Sequence, residues 1–225
     1  MNNKVFGIGL NKTGTTTLAS CLIELGYRHM SARRDLLVGW FNGNLDPLFQ
    51  VCDEYDSFED WPYPLAYKEL FYRYGDSGRY ILTIRTSPDV WLRSLKNHSL
   101  QTDPIQHCRL LSYGFNYPHG FERQHIYFYE QHISNVVDFF VKNNAEHLLK
   151  ILCWENGDDW KSLCSFLDKP YPKVGFPHSN KMTKQKIIDS EYYDQNITRV
   201  CEQLRLIGID SSRNKADSRM KCNFD

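Results

Sequence analysis

Nine consecutive residues, Gly9-Leu10-Asn11-Lys12-Thr13-Gly14-Thr15-Thr16-Thr17, carry the groups needed to hold a phosphate-like anion. Glycine lets the backbone approach an anion closely, and the N–H groups that open a helix point at it. Lys12 adds a point charge and the threonine hydroxyls add donors. Gly9 and Gly14 have the spacing of the Walker A pattern, GxxxxGK[ST], but Thr15 follows Gly14 and the lysine sits inside the loop at position 12. This is not a standard ATP or GTP loop, although it remains suited to an anion. The plain alternative is a Gly/Thr turn with a solvated lysine.

Such a loop needs a strand to deliver it and a helix to follow it. Residues 4–10 (KVFGIGL) read as a buried apolar strand. Leu18, Leu22 and Leu25 then recur at helical spacing over 15–25, and Gly26 stands where a helix ends. Residues 27–30 suggest a short strand, 46–51 a short helix, and 55–58 another strand ending at Asp60-Trp61-Pro62. A helix is expected from Pro62 to about 74, since proline is tolerated in a first turn. Residues 79–84 (RYILTI) form a convincing strand, and Pro88 opens a helix to about 97. Residues 99–120 have no clean period and read as a long surface excursion. A long helix (121–142), a strand (148–152), a helix capped by Asp158 and Asp159 and ending at 167, a proline-marked loop and a helix over 192–206 complete the series. Strands alternating with helices give an α/β fold, a central parallel sheet of about four to five strands with helices on both faces. Residues 1–210 are expected to form one domain and 211–225 a frayed tail.

Composition narrows the partners. The 27 Lys and Arg balance 27 Asp and Glu, so bulk charge gives no sign of nucleic-acid binding, and any anion site must be local. Seven cysteines without a CxxC pair indicate neither a disulfide framework nor a zinc knuckle, and a reducing cytosol is the simpler reading. The apolar run after Met1 is too short for a signal segment and no stretch reaches membrane-spanning length, so a cytoplasmic protein is expected.

KTGTTTL, residues 12–18, resembles the 5′-phosphosulfate loop of sulfotransferases that use 3′-phosphoadenosine 5′-phosphosulfate (PAPS). Three later stretches are similar to blocks of a small P-loop subfamily of these enzymes: YDSFEDWPYPLAYKELFYRY, YILTIRTSPDVWLRSL and DDWKSLCSFLDKPYPKVGFPHSN. The resemblance implies a P-loop NTPase-like three-layer fold. It also implies in-line transfer of a sulfuryl group from PAPS to an acceptor hydroxyl or amine, with PAP as product and no metal required. Lys12 would contact the bridging and sulfuryl oxygens, and Thr15, Thr16 and Thr17 the 5′-phosphate, in a loop completed by Asn11, Thr13 and Gly14. Arg85 and Ser94 would bind the 3′-phosphate, although their separation is one residue longer than usual. A strand-end arginine in a surface ion pair is the bland reading of Arg85.

The catalytic base is left open. Where cytosolic sulfotransferases carry a His-Leu-Pro segment, this chain has Asp60-Trp61-Pro62, which puts Asp60 at the base position with Glu59 beside it. Asp60 as a helix cap before Pro62 is the alternative. His178 is the second choice of base, and Lys181 and Lys184 lie in a late loop that in the family closes over the nucleotide. The remaining histidines form no metal-binding pattern. Aromatics over 121–140 suit a core better than a substrate box, while Tyr113, Phe115 and Tyr117 are possible acceptor-pocket residues. The acceptor, a small molecule or glycan, is not readable. A non-catalytic nucleotide-binding protein and, less favoured, a P-loop phosphotransferase are the competing functions.

Overall fold

Five short strands set the frame: β1 (Lys4–Gly7), β2 (His29–Met30), β3 (Ser57–Phe58), β4 (Gly78–Thr83) and β5 (Leu149–Leu152). The computed structural model describes residues 3–177 and 191–209. The strands lie in the order β2-β3-β1-β4-β5, and every neighbouring pair is parallel. The expected α/β fold with a central parallel sheet is therefore what forms.

Nine helices of four residues or more connect and follow the strands among the described residues: α1 (Thr15–Glu24), α2 (Arg34–Phe41), α3 (Asp46–Glu54), α4 (Tyr67–Tyr74), α5 (Pro88–Ser99), α6 (Arg109–Tyr113), α7 (Glu122–Lys142), α8 (Trp160–Leu167) and α9 (Tyr193–Leu206). By internal contacts the chain divides into two units, 1–91 with 129–181 and 92–128 with 182–225.

In the first unit the period-two alternation of each strand distributes side chains to two apolar layers. Phe6, Phe58, Tyr80 and Leu82 pack with α2, α3, α4 and the Val136–Phe140 face of α7. Val5, Ile81 and Leu152 pack with α1 and α8. Phe6 pairs in register with Phe58 and with Tyr80, and its ring stacks on both, at 5.1 and 5.4 Å between centroids. Helix α1 ends in a Schellman motif. Gly26 is left-handed (φ 83°), its N–H bonds Ile23 O at 2.9 Å, and Tyr27 N–H bonds Leu22 O at 3.1 Å.

Two sequence expectations need correcting, and one helix was not foreseen. The helix expected from Pro62 begins at Tyr67, because residues 61–66 form successive turns closed by Leu65 and Ala66 N–H groups on Pro62 O. Helix α2 carries no strong sequence signal, yet forms by burying Leu36 and Leu37. Residues 99–120 are not a surface excursion. In the second unit they carry α6 and pack with α9, where Leu100, Tyr117, Val200 and Leu204 form a small core. Asn196 of α9 donates to the carbonyls of Ser99, Leu100 and Thr102 and accepts from Tyr117. Fully buried Arg109 donates to Asn116 O and Thr102 Oγ1, each at 2.6 Å, and burial pushes its pKa down to about 10. Polar side chains bonding backbone carbonyls hold this unit, a pattern that hydrophobic periodicity does not report.

Cys21, Cys52, Cys153 and Cys164 are free and buried, whereas Cys201 is disulfide-bonded, which the odd cysteine count did not signal. Among the described residues no helix is long and apolar enough to cross a membrane.

Candidate active site

The strand order places β1 between strands reached by crossovers in opposite directions, β3 on one side and β4 on the other. Ligands of open α/β sheets bind in the crevice beyond the carboxyl ends at such a switch point. The loop after β1, the Glu59-Asp60 pair after β3, Arg85 after β4 and the Trp154–Asn156 turn after β5 all stand at carboxyl ends.

The loop is shaped from several sides. A Cβ on Gly9 would lie 2.1 Å from Thr83 Oγ1, so only glycine lets the loop pass β4. Thr13 is turned inward: its hydroxyl donates to Leu10 O at 2.6 Å and pairs with Thr83 Oγ1 at 2.6 Å. The carbonyl of buried Asn11 accepts the Trp91 indole N–H at 2.9 Å. His132 of α7 donates from Nε2 to Ile8 O at 2.7 Å. Trp154 donates its indole N–H to Gly14 O at 3.1 Å. Gly14 has φ 94°, and a Cβ there would lie 2.4 Å from the Trp154 ring. Gly14→Ala should therefore lose roughly 1–3 kcal/mol of stability, read from the urea midpoint. An unchanged midpoint would contradict this shaping of the loop by Trp154.

Burial pushes the His132 pKa down to about 4 from 6.5, so the folded protein keeps it neutral. The unfolded chain protonates this residue first, so the site's destabilising contribution grows as pH falls from 6.5 towards 4. His132→Asn removes the bond to Ile8 at every pH. Its stability deficit relative to wild type should nevertheless narrow, by up to about 3 kcal/mol, across that interval. Urea titrations at several pH values test this, and a constant deficit would exclude it.

Helix α1 starts at Thr15 with no side chain capping it, so the first-turn N–H groups have no partner within the helix. Thr15 and Thr17 are buried and Thr16 is exposed. Half-buried Lys12 has a left-handed backbone, φ 69°. Desolvation lowers its pKa, the negative charge of Asp60 works the other way, and Arg85 reinforces the lowering. The arrangement thus brings Lys12, Asp60 and Arg85 within electrostatic reach of one another.

Asp60 also holds a left-handed backbone, φ 65°, and its Oδ1 accepts the Trp61 N–H at 2.9 Å. It does not cap α4, whose first residue is Tyr67 and which has no side-chain cap. Burial, and then the neighbouring Glu59 carboxylate, raise its pKa to about 7, against smaller opposing effects of the Trp61 N–H and Lys12. Glu59 is buried, accepts a short hydrogen bond from Ser31 and lies 3.7 Å from His29 Nε2. His29 Nδ1 is 2.9 Å from Ser57 Oγ. His29 and Ser31 were missed as site residues. They belong to a two-residue strand and its end, and only the β2–β3 pairing brings them beside Glu59.

Arg85 donates its backbone N–H to Tyr129 Oη and its Nη1 to Lys12 O, both at 2.9 Å. Its Nε and Nη2 grip Glu155 at 3.0 and 2.5 Å, so the bland expectation of an ion pair describes its side chain. Tyr129 is buried and stacks on Trp91 at 4.7 Å. Ser94 lies half-buried in α5, in the second unit. His178, Lys181 and Lys184 lie outside the described residues. Among the described residues no group of three or more His, Cys, Asp or Glu is gathered as a metal site.

The described residues thus set an uncapped helix N-terminus behind a lysine-bearing Gly/Thr loop at the carboxyl end of a parallel sheet. The chain belongs to the sulfotransferase domain family, whose model matches residues 4–185. A relative, "Ava biosynthesis cluster protein M" of Aspergillus versicolor, is 28% identical over 216 residues, spanning 78% of this chain and 80% of that protein.

Proposed function

We propose that this protein transfers a sulfuryl group from PAPS to a hydroxyl or amine of a small molecule or glycan. The observation that carries the reading is the pairing of the uncapped α1 N-terminus and Lys12 with a carboxyl group, Asp60, raised towards neutrality at the next strand end. The donor supplies an activated sulfuryl group on a phosphate leaving group. Its 5′-phosphate would take the first-turn N–H groups, which have no partner within the helix, and the hydroxyls of Thr15, Thr16 and Thr17.

Lys12 and the helix N-terminus are positioned to stabilise negative charge developing on the leaving phosphate oxygen, an effect largest in the transition state. Asp60 in its ionised form accepts the proton from the acceptor as the new S–O or S–N bond forms and the old S–O bond breaks. A pKa near 7 keeps a useful fraction ionised while leaving the carboxylate basic. The relative's name places it in a biosynthesis cluster, which favours a small-molecule acceptor.

The test is calorimetric. The protein should bind 3′,5′-ADP well in preference to ADP and ATP, and release PAP from PAPS when supplied with a panel of hydroxylated and amine acceptors. Binding without turnover across the panel would favour a non-catalytic nucleotide-binding protein, and a preference for ATP would favour a phosphotransferase.

A further inference from the structure

The carboxylate of Glu155 accepts four hydrogen bonds at the end of β4. Oε2 accepts from Arg85 Nε at 3.0 Å, from the Thr86 backbone N–H at 3.1 Å and from the Thr86 hydroxyl at 3.1 Å, while Oε1 accepts from Arg85 Nη2 at 2.5 Å. A guanidinium fork, a backbone N–H and a hydroxyl converging on one anion make a seat for a tetrahedral oxyanion as readily as for a carboxylate. The seat is held from behind. The Arg85 backbone N–H bonds Tyr129 Oη, and its Nη1 keeps a bond to Lys12 O that Glu155 does not supply. Glu155 itself is lightly held. It stands on a single turn, Trp154–Asn156, its side chain is 35% exposed, and its hydrogen bonds all go to Arg85 and Thr86.

We propose that Glu155 is a built-in competitor for the 3′-phosphate of the donor: its carboxylate and that phosphate are alternative occupants of the Arg85–Thr86 seat. The inference rests on the PAPS reading above and adds to it a residue that sets how strongly the 3′-phosphate counts. A phosphate monoester carries more charge and one more oxygen than a carboxylate, so it can displace Glu155 to solvent. Displacement gives up the Arg85 ion pair and the Thr86 bonds, a cost that falls on ligands with a 3′-phosphate and not on those without one. The Arg85 pairing depresses the Glu155 pKa, which keeps the competitor ionised at neutral pH.

Calorimetry with 3′,5′-ADP and 5′-AMP on wild type, Glu155→Ala and Glu155→Gln tests the inference. The quantity read is the 3′-phosphate increment, the ratio of the two dissociation constants for each protein. Loss of the competing charge should raise the increment roughly tenfold in both variants and leave 5′-AMP affinity unchanged, which also reports that the fold is intact. If Glu155 instead braces Arg85, the increment falls or stays the same, and the inference is overturned while the donor reading survives. If none of the three proteins distinguishes 3′,5′-ADP from 5′-AMP, the PAPS reading fails and the inference fails with it.

Discussion

Lys12→Ala should reduce the turnover of sulfuryl transfer roughly a hundred- to a thousand-fold, with a much smaller effect on 3′,5′-ADP affinity. The asymmetry follows from where the charge appears. On the proposed reading the bound product would still receive the N–H groups of the α1 N-terminus, which the substitution leaves in place. What it removes is a cation partly desolvated beside Asp60 and Arg85, where electrostatic interactions are stronger than in water. Single-turnover rates set against calorimetric affinity separate the two effects. A loss below about threefold in turnover, or an equal loss in both, would mean that Lys12 only binds.

Asp60→Asn should cost about two to four orders of magnitude in kcat/KM and remove the pH dependence expected of the wild type. With the carboxyl raised to about 7, the wild-type rate should climb through neutrality and level off as Asp60 ionises. Because Glu59 is the second cause of the raised value, Glu59→Gln should move the midpoint of that climb to lower pH without removing it. Stability should respond in the opposite sense. The unfolded chain ionises Asp60 near 3.8 and the folded one near 7, so folding holds the proton more tightly and the site costs stability as pH rises between those values. Asp60→Asn should accordingly be more stable than wild type at pH 7, by about 1–2 kcal/mol. An inactive variant that is also less stable, or a wild-type profile flat between pH 6 and 8, would remove Asp60 from the role of base.

Much of the first unit was legible because its signals are local. The apolar run of β1, the Gly/Thr loop and the Leu18–Leu22 stripe of α1 each follow from neighbours in sequence, and all three formed as expected. The partnership of Asp60 with Glu59 was visible as two adjacent letters. Its link to His29 and Ser31 was not, because that depends on which strand pairs with β3. Arg85 was found, but its hold on Glu155 was not, since the two lie seventy positions apart and meet only at the ends of paired strands. Thr13 looked like a ligand-facing hydroxyl on the pattern alone, and the structure shows that hydroxyl bonded to Thr83 inside the protein. Residues 99–120 were misread because Arg109 and Asn196 organise them through carbonyl hydrogen bonds, and no apolar period announces such a unit.

The walls of the anion loop come from far along the chain. Ile8, Gly9, Asn11 and Gly14 are shaped by His132, Thr83, Trp91 and Trp154 respectively. A ribosome therefore delivers the loop well before its last supporting side chain, which follows more than a hundred residues later. In kinetic language the site has high contact order, and its formation waits on the slow, non-local pairing of parallel strands. A nascent chain that ends before Trp154 carries the complete motif without the means to shape it, and exposes the apolar faces of β1 and β4 meanwhile. The loop after β1 thus takes its shape only once the chain has passed Trp154, long after its own letters are in place.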